Sequence, residues 1–296
     1  MNAPRRNGMS RRHFLQLGAS SAALALSARP LSAFAETPVP ADPFGGFTVG
    51  VQTYTFRNFN LEQALQRTRD LGLRYVELYR GHVPLNSTPE QIRAVLNLCR
   101  QYNVTPIAFG VERFTSDNAA NRRLFEFGRA LGIRHFSADP DPDSFDSLDR
   151  LVEEFNISIA IHPHGPQGQR LHRWYSAEVI LAAVRDHNRL IGSCLDTGHL
   201  IRSAQAPFNR RLDPAQQIRT MGARNFGLHL KDHDNTRRED VVFGRGVLDV
   251  GSVLRALRAV NFRGFISIEY EAHPDNPSPD VRACLDVFRT AVRNPG

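Results

Sequence analysis

The chain has 296 residues, and its formal charge of +7 comes from 37 Lys and Arg set against 30 Asp and Glu. Five of the arginines (Arg5, Arg6, Arg11, Arg12 and Arg29) and no acidic residue lie in the first 35 positions, so the remainder carries only +2. A field that small does not gather polyanions, which weighs against nucleic acid or an anionic membrane as partner. Three cysteines, Cys99, Cys194 and Cys284, cannot all pair within the chain and sit inside apolar-periodic segments, where they read as small buried hydrophobes.

Residues 1–35 read as an address rather than as part of a fold. Ser10-Arg11-Arg12-His13-Phe14-Leu15-Gln16 sets two adjacent arginines before Phe-Leu, and the stretch from Leu17 to Ser27 is apolar but too short to span a bilayer. Ala33-Phe34-Ala35 fits the small-x-small cleavage rule. The expectation is a cleaved twin-arginine signal peptide, with the export machinery as a partner and a periplasmic or secreted mature chain that begins at Glu36 and carries no stable membrane anchor. A disordered basic tail is the plainer alternative. Residues 36–46 form a Pro-rich leader, and 47–296 hold the folded domain.

From there, short β-branched runs alternate with amphipathic helical stretches eight times. The strand candidates are Thr48–Arg57, Tyr75–Gly81, Pro106–Arg113, His135–Asp139, Ser158–Gly165, Gly192–Leu200, Asn225–Asp232 and Gly264–Ala272. Thr88-Pro89, Asp213-Pro214 and Ser278-Pro279 each place a capping side chain before a proline at a helix start, and Gln91 completes a capping box with Thr88. The spacing of Ile92, Val95, Leu96 and Cys99, and of Val253, Leu254, Leu257 and Val260, gives each helix one face to lay on a sheet. Strand then helix, eight times over about 250 residues, predicts a single-domain (β/α)8 TIM barrel. An open doubly wound sheet is the alternative, but no Gly-x-Gly-x-x-Gly turn follows the first strand.

Side chains alternate along a strand, so one parity faces the barrel interior. If Ile159 and Ile161 face helices, Ser158, Ala160 and His162 point inward. The same rule turns Gly192, Cys194 and Asp196 inward, then Asn225, Gly227 and His229, then Phe265, Ser267 and Glu269, leaving Phe226, Leu228, Ile266 and Ile268 outside. The fifth to eighth strands thus deliver His162, Asp196, His229 and Glu269 to the C-terminal mouth, where barrels build active sites. Four inward polar groups need partners, and one divalent cation satisfies them together; the alternative is four separately hydrogen-bonded core polars. Two imidazoles and two carboxylates suit Mn2+, Zn2+, Co2+ or Fe2+ better than Mg2+.

Further residues have more than one reading each. Lys231 shares the inward parity of His229, and Glu271 that of Glu269; either is a site group or lies exposed on the rim. His199 is placed to bind the metal, orient Asp196 or contact substrate, and substrate contact is the expectation. His164 reads as ligand or as supporting group, and Glu77 as a substrate contact or a structural hydrogen bonder. Trp174, in a loop with Arg170, His172, Arg173 and Tyr175, suits a sugar face or docks a helix. Arg245, within Gly244-Arg245-Gly246, reads as an anion contact or as part of a plain turn.

His162-Pro163-His164-Gly165, Leu195-Asp196-Thr197-Gly198-His199, His229-Leu230-Lys231-Asp232 and Ile268-Glu269-Tyr270-Glu271 resemble the successive strand-end motifs of the xylose-isomerase-like superfamily. Gly50-Val51-Gln52-Thr53-Tyr54, Val76-Glu77-Leu78 and the Gly244-Arg245-Gly246 turn extend the match along the chain. The resemblance implies that Asp196, His229 and Glu269 bind the metal, that His199 and Lys231 reach substrate oxygens, and that Glu269 exchanges a proton with the substrate. The epimerases it resembles usually carry glutamate where His162 stands, working with the last-strand glutamate as a two-base pair. The His-x-His-x-Gly pattern looks closer to that of the inosose dehydratases. The implied activity is a metal-dependent isomerase or epimerase of a sugar, polyol or keto-sugar, by proton abstraction next to a carbonyl. A dehydratase or lyase performing β-elimination is the alternative, and a non-catalytic periplasmic sugar-binding protein is a second. The related abasic-site endonucleases need further histidines, and Ala108-Phe109-Gly110-Val111 on the third strand supplies none. The expected partner is a carbohydrate, with homo-oligomerisation left open.

Overall fold

The computed structural model describes residues 42–294, so the expected signal peptide and most of the leader lie outside the described residues. Eight parallel strands close into a barrel: β1 (Thr48–Gln52), β2 (Tyr75–Leu78), β3 (Thr105–Phe114), β4 (His135–Pro140), β5 (Ser158–Ile161), β6 (Ile191–Asp196), β7 (Asn225–Leu230) and β10 (Phe265–Ile268). Around it run α1 (Leu61–Asp70), α2 (Pro89–Gln101), α3 (Asn118–Leu131), α4 (Phe145–Phe155), α5 (Ala177–Val184), the short α6 (Thr197–Arg202), α7 (Pro214–Met221), α8 (Val250–Ala259) and α9 (Ser278–Arg293). A two-stranded antiparallel ribbon, β8 (Asp232–Asp234) with β9 (Glu239–Val241), is inserted after β7. The chain therefore folds as a (β/α)8 TIM barrel. Among the described residues, no helix is long and apolar enough to cross a membrane.

The period-2 pattern divides the interior from the helix layer as expected. Ala108, Ala160, Cys194 and Phe265 form a small inner cluster, while Ile159, Ile161, Leu195, Leu228, Ile266 and Ile268 join the larger core beneath the helices. Asn225 and Phe226 depart from it. The amide of Asn225 donates to the carbonyls of Ile218 (2.9 Å) and Gly222 (2.8 Å) at the end of α7, and Phe226 packs partly on the inner cluster. A register shift opposite Ser193 and Cys194 accounts for this: it adds one residue to β7, after which Gly227 and His229 recover the inward parity.

Helix punctuation follows the sequence at two of the three proline starts. Thr88 and Gln91 form their reciprocal capping box, and the Asp213 carboxylate accepts from Gln216 N at 2.8 Å. At the third, Ser278 lies inside α9 and supplies no side-chain cap. The expected sixth strand also stops earlier, at Asp196, because its carboxylate accepts from His199 N at 2.7 Å and starts α6 there.

Phe136 on β4 is fully buried and meets Phe109, Phe114 and Phe125 at ring-centroid distances of 5.5–6.4 Å. Truncating it removes contacts with both β3 and α3 at once. Phe136→Ala should lower unfolding stability by about 3–5 kcal/mol, read as a reduced urea midpoint at unchanged slope.

Candidate metal centre

At the C-terminal mouth, β5, β6, β7 and β10 bring together the four side chains expected from the strand parity. His162 Nε2 lies 3.0 Å from His229 Nδ1 and 3.4 Å from Asp196 Oδ2. His229 Nδ1 lies 3.1 Å from Glu269 Oε2 and 3.8 Å from Asp196 Oδ2. Donors around one cation with bonds of about 2.0–2.2 Å sit about 3–3.6 Å apart, so these four atoms fit a single divalent ion. The remaining valences are spoken for in the way a ligand set requires. Asp196 Oδ1 takes the His199 N–H, whereas Asp196 Oδ2 is buried and receives no hydrogen bond.

Glu77, reaching across the barrel from β2, decides which nitrogen of His229 is free. Its Oε2 lies 2.7 Å from His229 Nε2 and also accepts from Ser267 Oγ at 2.8 Å. When the ring gives up a proton to a cation, Glu77 keeps the remaining one on Nε2, and Nδ1 presents its lone pair to the centre. Burial raises the Glu77 pKa, but the facing His229 outweighs it and the carboxyl stays ionised. Glu77 is thus the buried floor of the site, fully closed to solvent.

The motif Asp-Thr-Gly-His at 196–199 now has a residue-by-residue account. Thr197 Oγ1 donates to Lys231 O at 2.6 Å and accepts from Lys231 N at 2.9 Å, fastening β6 to the end of β7. Gly198 leaves room for the Lys231 side chain, since a Cβ there would lie 2.7 Å from Lys231 Cδ. His199 Nδ1 accepts from Gly165 N at 2.9 Å and faces Arg202 Nη1 at 3.2 Å, which leaves its proton on Nε2 as a donor. Burial holds the His199 pKa well below the usual imidazole range, so the donor is neutral.

Lys231 does not lie on the rim. It is buried, with Nζ 3.0 Å from Glu269 Oε2 and 3.5 Å from Asp196 Oδ2, and it also binds Glu271. Burial lowers its pKa, but these carboxylates prevail and hold it well above the ordinary value. In return, Lys231 keeps Asp196 and Glu269 ionised against the same burial.

A cavity of about 360 Å³ opens over the centre, lined by His162, His164, His199, Glu269, Glu271, Gln52, Tyr54, Tyr79, Arg80, Gly110 and Val111. Two expected substrate contacts lie elsewhere. Trp174 is buried, donates from Nε1 to Pro140 O at 3.0 Å and packs on Phe145, so it anchors its loop. Arg245 is exposed on its turn and does not line this cavity. That turn holds no external anion, because Asp232 occupies it. The two Asp232 oxygens accept from the N–H groups of Gly244, Gly246, Val247 and Leu248 at 2.9–3.1 Å, and a Cβ at Gly246 would lie 2.2 Å from Asp232 Oδ1.

Sequence reasoning missed Arg80 as a wall of the site. Its guanidinium grips both oxygens of the buried Glu112, through Nε to one at 3.1 Å and through Nη2 to the other. An arginine at one strand end with an inward-parity glutamate on the next strand was the available signal.

Residues 65–291 match the xylose isomerase-like TIM barrel family. The chain belongs to that family. None of the curated proteins matches it in sequence. Among solved members of the same fold, an uncharacterised protein from Parabacteroides distasonis is 25% identical, with a TM-score of 0.63 over 82% of this chain and 98% of its own. A D-psicose 3-epimerase from Clostridium cellulolyticum is 15% identical, with a TM-score of 0.65 over 83% and 99%. A 3-keto-D-glucoside 4-epimerase from E. coli is 16% identical, with a TM-score of 0.63 over 82% and 99%. As strand parity predicts, the four strand-end donors of this chain converge.

Burial depresses the imidazoles of His162, His164 and His199, that of His164 to about 3. Groups held neutral in this way stabilise the fold fully above the unfolded value of about 6.5 and lose that contribution as pH falls towards the folded values. His229 is shifted upward, so its own gain is complete below the unfolded value and adds no slope there. Metal-stripped protein should therefore lose up to about 1.4 kcal/mol per pH unit for each of the three rings below pH 6.5. Melting temperatures between pH 7.5 and 5 check this, and a flat profile would contradict it.

Proposed function

We propose that this chain is a metal-dependent isomerase or epimerase of an uncharged sugar, polyol or keto-sugar, working by proton abstraction next to a carbonyl. The observation that carries this reading is the convergence of His162 Nε2, Asp196 Oδ2, His229 Nδ1 and Glu269 Oε2 beneath a cavity large enough for a small ligand. The names of fold relatives, epimerases of D-psicose and 3-keto-D-glucoside, support it. When bound, a divalent cation supplies stabilisation of the negative charge that grows on a carbonyl oxygen as the adjacent carbon loses its proton.

The chain's own residues supply the rest. Glu269 borders the cavity and is kept ionised by Lys231, so it is the base available to take a proton from carbon. His199 presents a neutral N–H to a substrate oxygen, and Tyr54 and Tyr79 offer aromatic surface to the apolar face of a sugar ring. An uncharged substrate follows from the walls: Arg80 is already paired with Glu112, Glu271 is acidic, and the amides of 244–248 are taken by Asp232.

A second reading, β-elimination by a lyase or dehydratase, is favoured by one observation. Position 162 carries a buried imidazole held neutral, not a second carboxylate, so a symmetric pair of carboxylate bases is absent from the four-donor centre. Residues 1–35 support export by the twin-arginine route, with the reaction taking place outside the cytoplasm.

Incubation in D2O with D-tagatose, L-ribulose and a 3-keto-glucoside separates the possibilities. An epimerase product keeps its constitution and gains one carbon-bound deuterium, whereas a lyase product loses water or its aglycone. Neither exchange nor product with any of them, together with retained sugar binding, would return the chain to the sugar-binding alternative. Asp196→Ala should lose the bound cation and the activity together. His199→Phe should keep the cation and lower kcat/KM about tenfold, the worth of one hydrogen bond.

A further inference from the structure

Among the described residues, one other group of metal-binding side chains comes together outside the four-donor centre: Asp139, His164 and His172. Asp139 lies near the end of β4, and His164 follows β5. His172 reaches them because the loop after β5 doubles back through an antiparallel bridge between Gln167 and Arg170, and Trp174 then pins it to Pro140 O. His172 Nε2 lies 3.4 Å from Asp139 Oδ2, and the rings of His164 and His172 are 4.6 Å apart. One donor atom from each of the three residues falls within 4.8 Å of the others.

Two of these side chains hold buried atoms with no hydrogen-bond partner, Asp139 Oδ1 and His164 Nδ1. Polar atoms in that state carry a desolvation cost that a ligand would relieve. Burial raises Asp139, but His172 and Arg173 prevail and keep it ionised. The set is one carboxylate oxygen and two ring nitrogens.

We propose that Asp139, His164 and His172 form a second site for a divalent cation of the class that accepts imidazole nitrogen, Zn2+ or Co2+ above Mg2+. The site goes beyond the proposed function and does not depend on it. Three protein donors leave at least one position open, and His164 borders the cavity, so that position faces the space over the first centre. The two centres share a wall, with the rings of His162 and His164 4.8 Å apart. Two existing contacts must give way. Trp174 N donates to His172 Nδ1 at 3.3 Å, a long bond that is lost when ligation at Nε2 moves the ring proton to Nδ1. Arg173 Nε forms a long ion pair with Asp139 Oδ1 at 3.5 Å that a cation would displace, while its Nη1 stays on Asp141.

The test is the metal content of the whole purified chain after stripping and equilibrium dialysis against Zn2+, measured by elemental analysis and repeated with Co2+ for its visible absorption. Two cations per wild-type chain are expected, one in Asp139→Asn and His172→Gln, and one in Asp196→Ala. Should His172→Gln fail to fold by circular dichroism, His164→Gln reads the same equivalent from a residue at the cavity wall. One cation in the wild type that persists in Asp139→Asn and vanishes in Asp196→Ala would overturn the proposal and leave the first centre standing. One cation that vanishes in Asp139→Asn and persists in Asp196→Ala would keep this site and remove the first. Two cations retained in both Asp139→Asn and His164→Gln would also overturn it.

Discussion

The mouth of this barrel is organised by one electrostatic constraint: two carboxylates and two imidazoles lie within 4.8 Å of one another, all buried. Like charges so placed repel strongly where the effective dielectric is low, and buried oxygens without donors cost desolvation energy. Lys231 answers part of this by touching Asp196, Glu269 and Glu271 at once. His229, shifted toward its charged form by Cys194, Glu77 and Glu269 against the cost of burial, answers another part. Asp196 Oδ2 remains without a hydrogen bond, which is why a divalent cation fits the chemistry better than four independently satisfied polar groups.

Barrel closure is what makes this arrangement available. Glu77 and His229 are 152 residues apart in the chain yet 2.7 Å apart in space, and that contact sets the tautomer of a candidate ligand. Thr197 and Lys231, on neighbouring strand ends, are stitched through backbone and hydroxyl, so the positions of Asp196 and His229 are coupled. The short motifs of the later strands are therefore packing instructions as much as chemical ones: Gly198 makes space for a lysine, and Gly246 makes space for a carboxylate.

What could be read from the chain alone follows the physics of each signal. Strand parity is a local property, and it placed His162, Asp196, His229 and Glu269 at one mouth correctly. It failed at Asn225 and Phe226 because a register shift is a property of two strands together, not of one. Trp174 and Arg245 show a different limit. An aromatic residue beside donors, or a Gly-Arg-Gly turn, has the same composition whether it faces a ligand or the protein itself. Only the fold reveals that Pro140 and Asp232 were already the partners. The Asp139, His164 and His172 group was illegible for a related reason, since it depends on a loop folding back on itself after β5.

The identity of residue 162 bears most directly on chemistry. A carboxylate there would add a third anion to a centre that already holds two. An imidazole held neutral by burial keeps a donor for a cation but supplies no charge. The centre's negative charge is then concentrated on Asp196 and Glu269, the two groups that Lys231 contacts, and Glu269 alone of that pair borders the cavity. Under the proposed function, proton abstraction then falls to Glu269. Inversion at carbon needs the proton returned from the other face by a group outside the four donors, whereas elimination needs only a leaving group and a donor to protonate it. His199, with its N–H directed by Gly165 and Arg202, stands in the cavity wall as such a donor. Within the proposed function, the four-donor centre therefore supplies one cavity-facing carboxylate base rather than a symmetric pair.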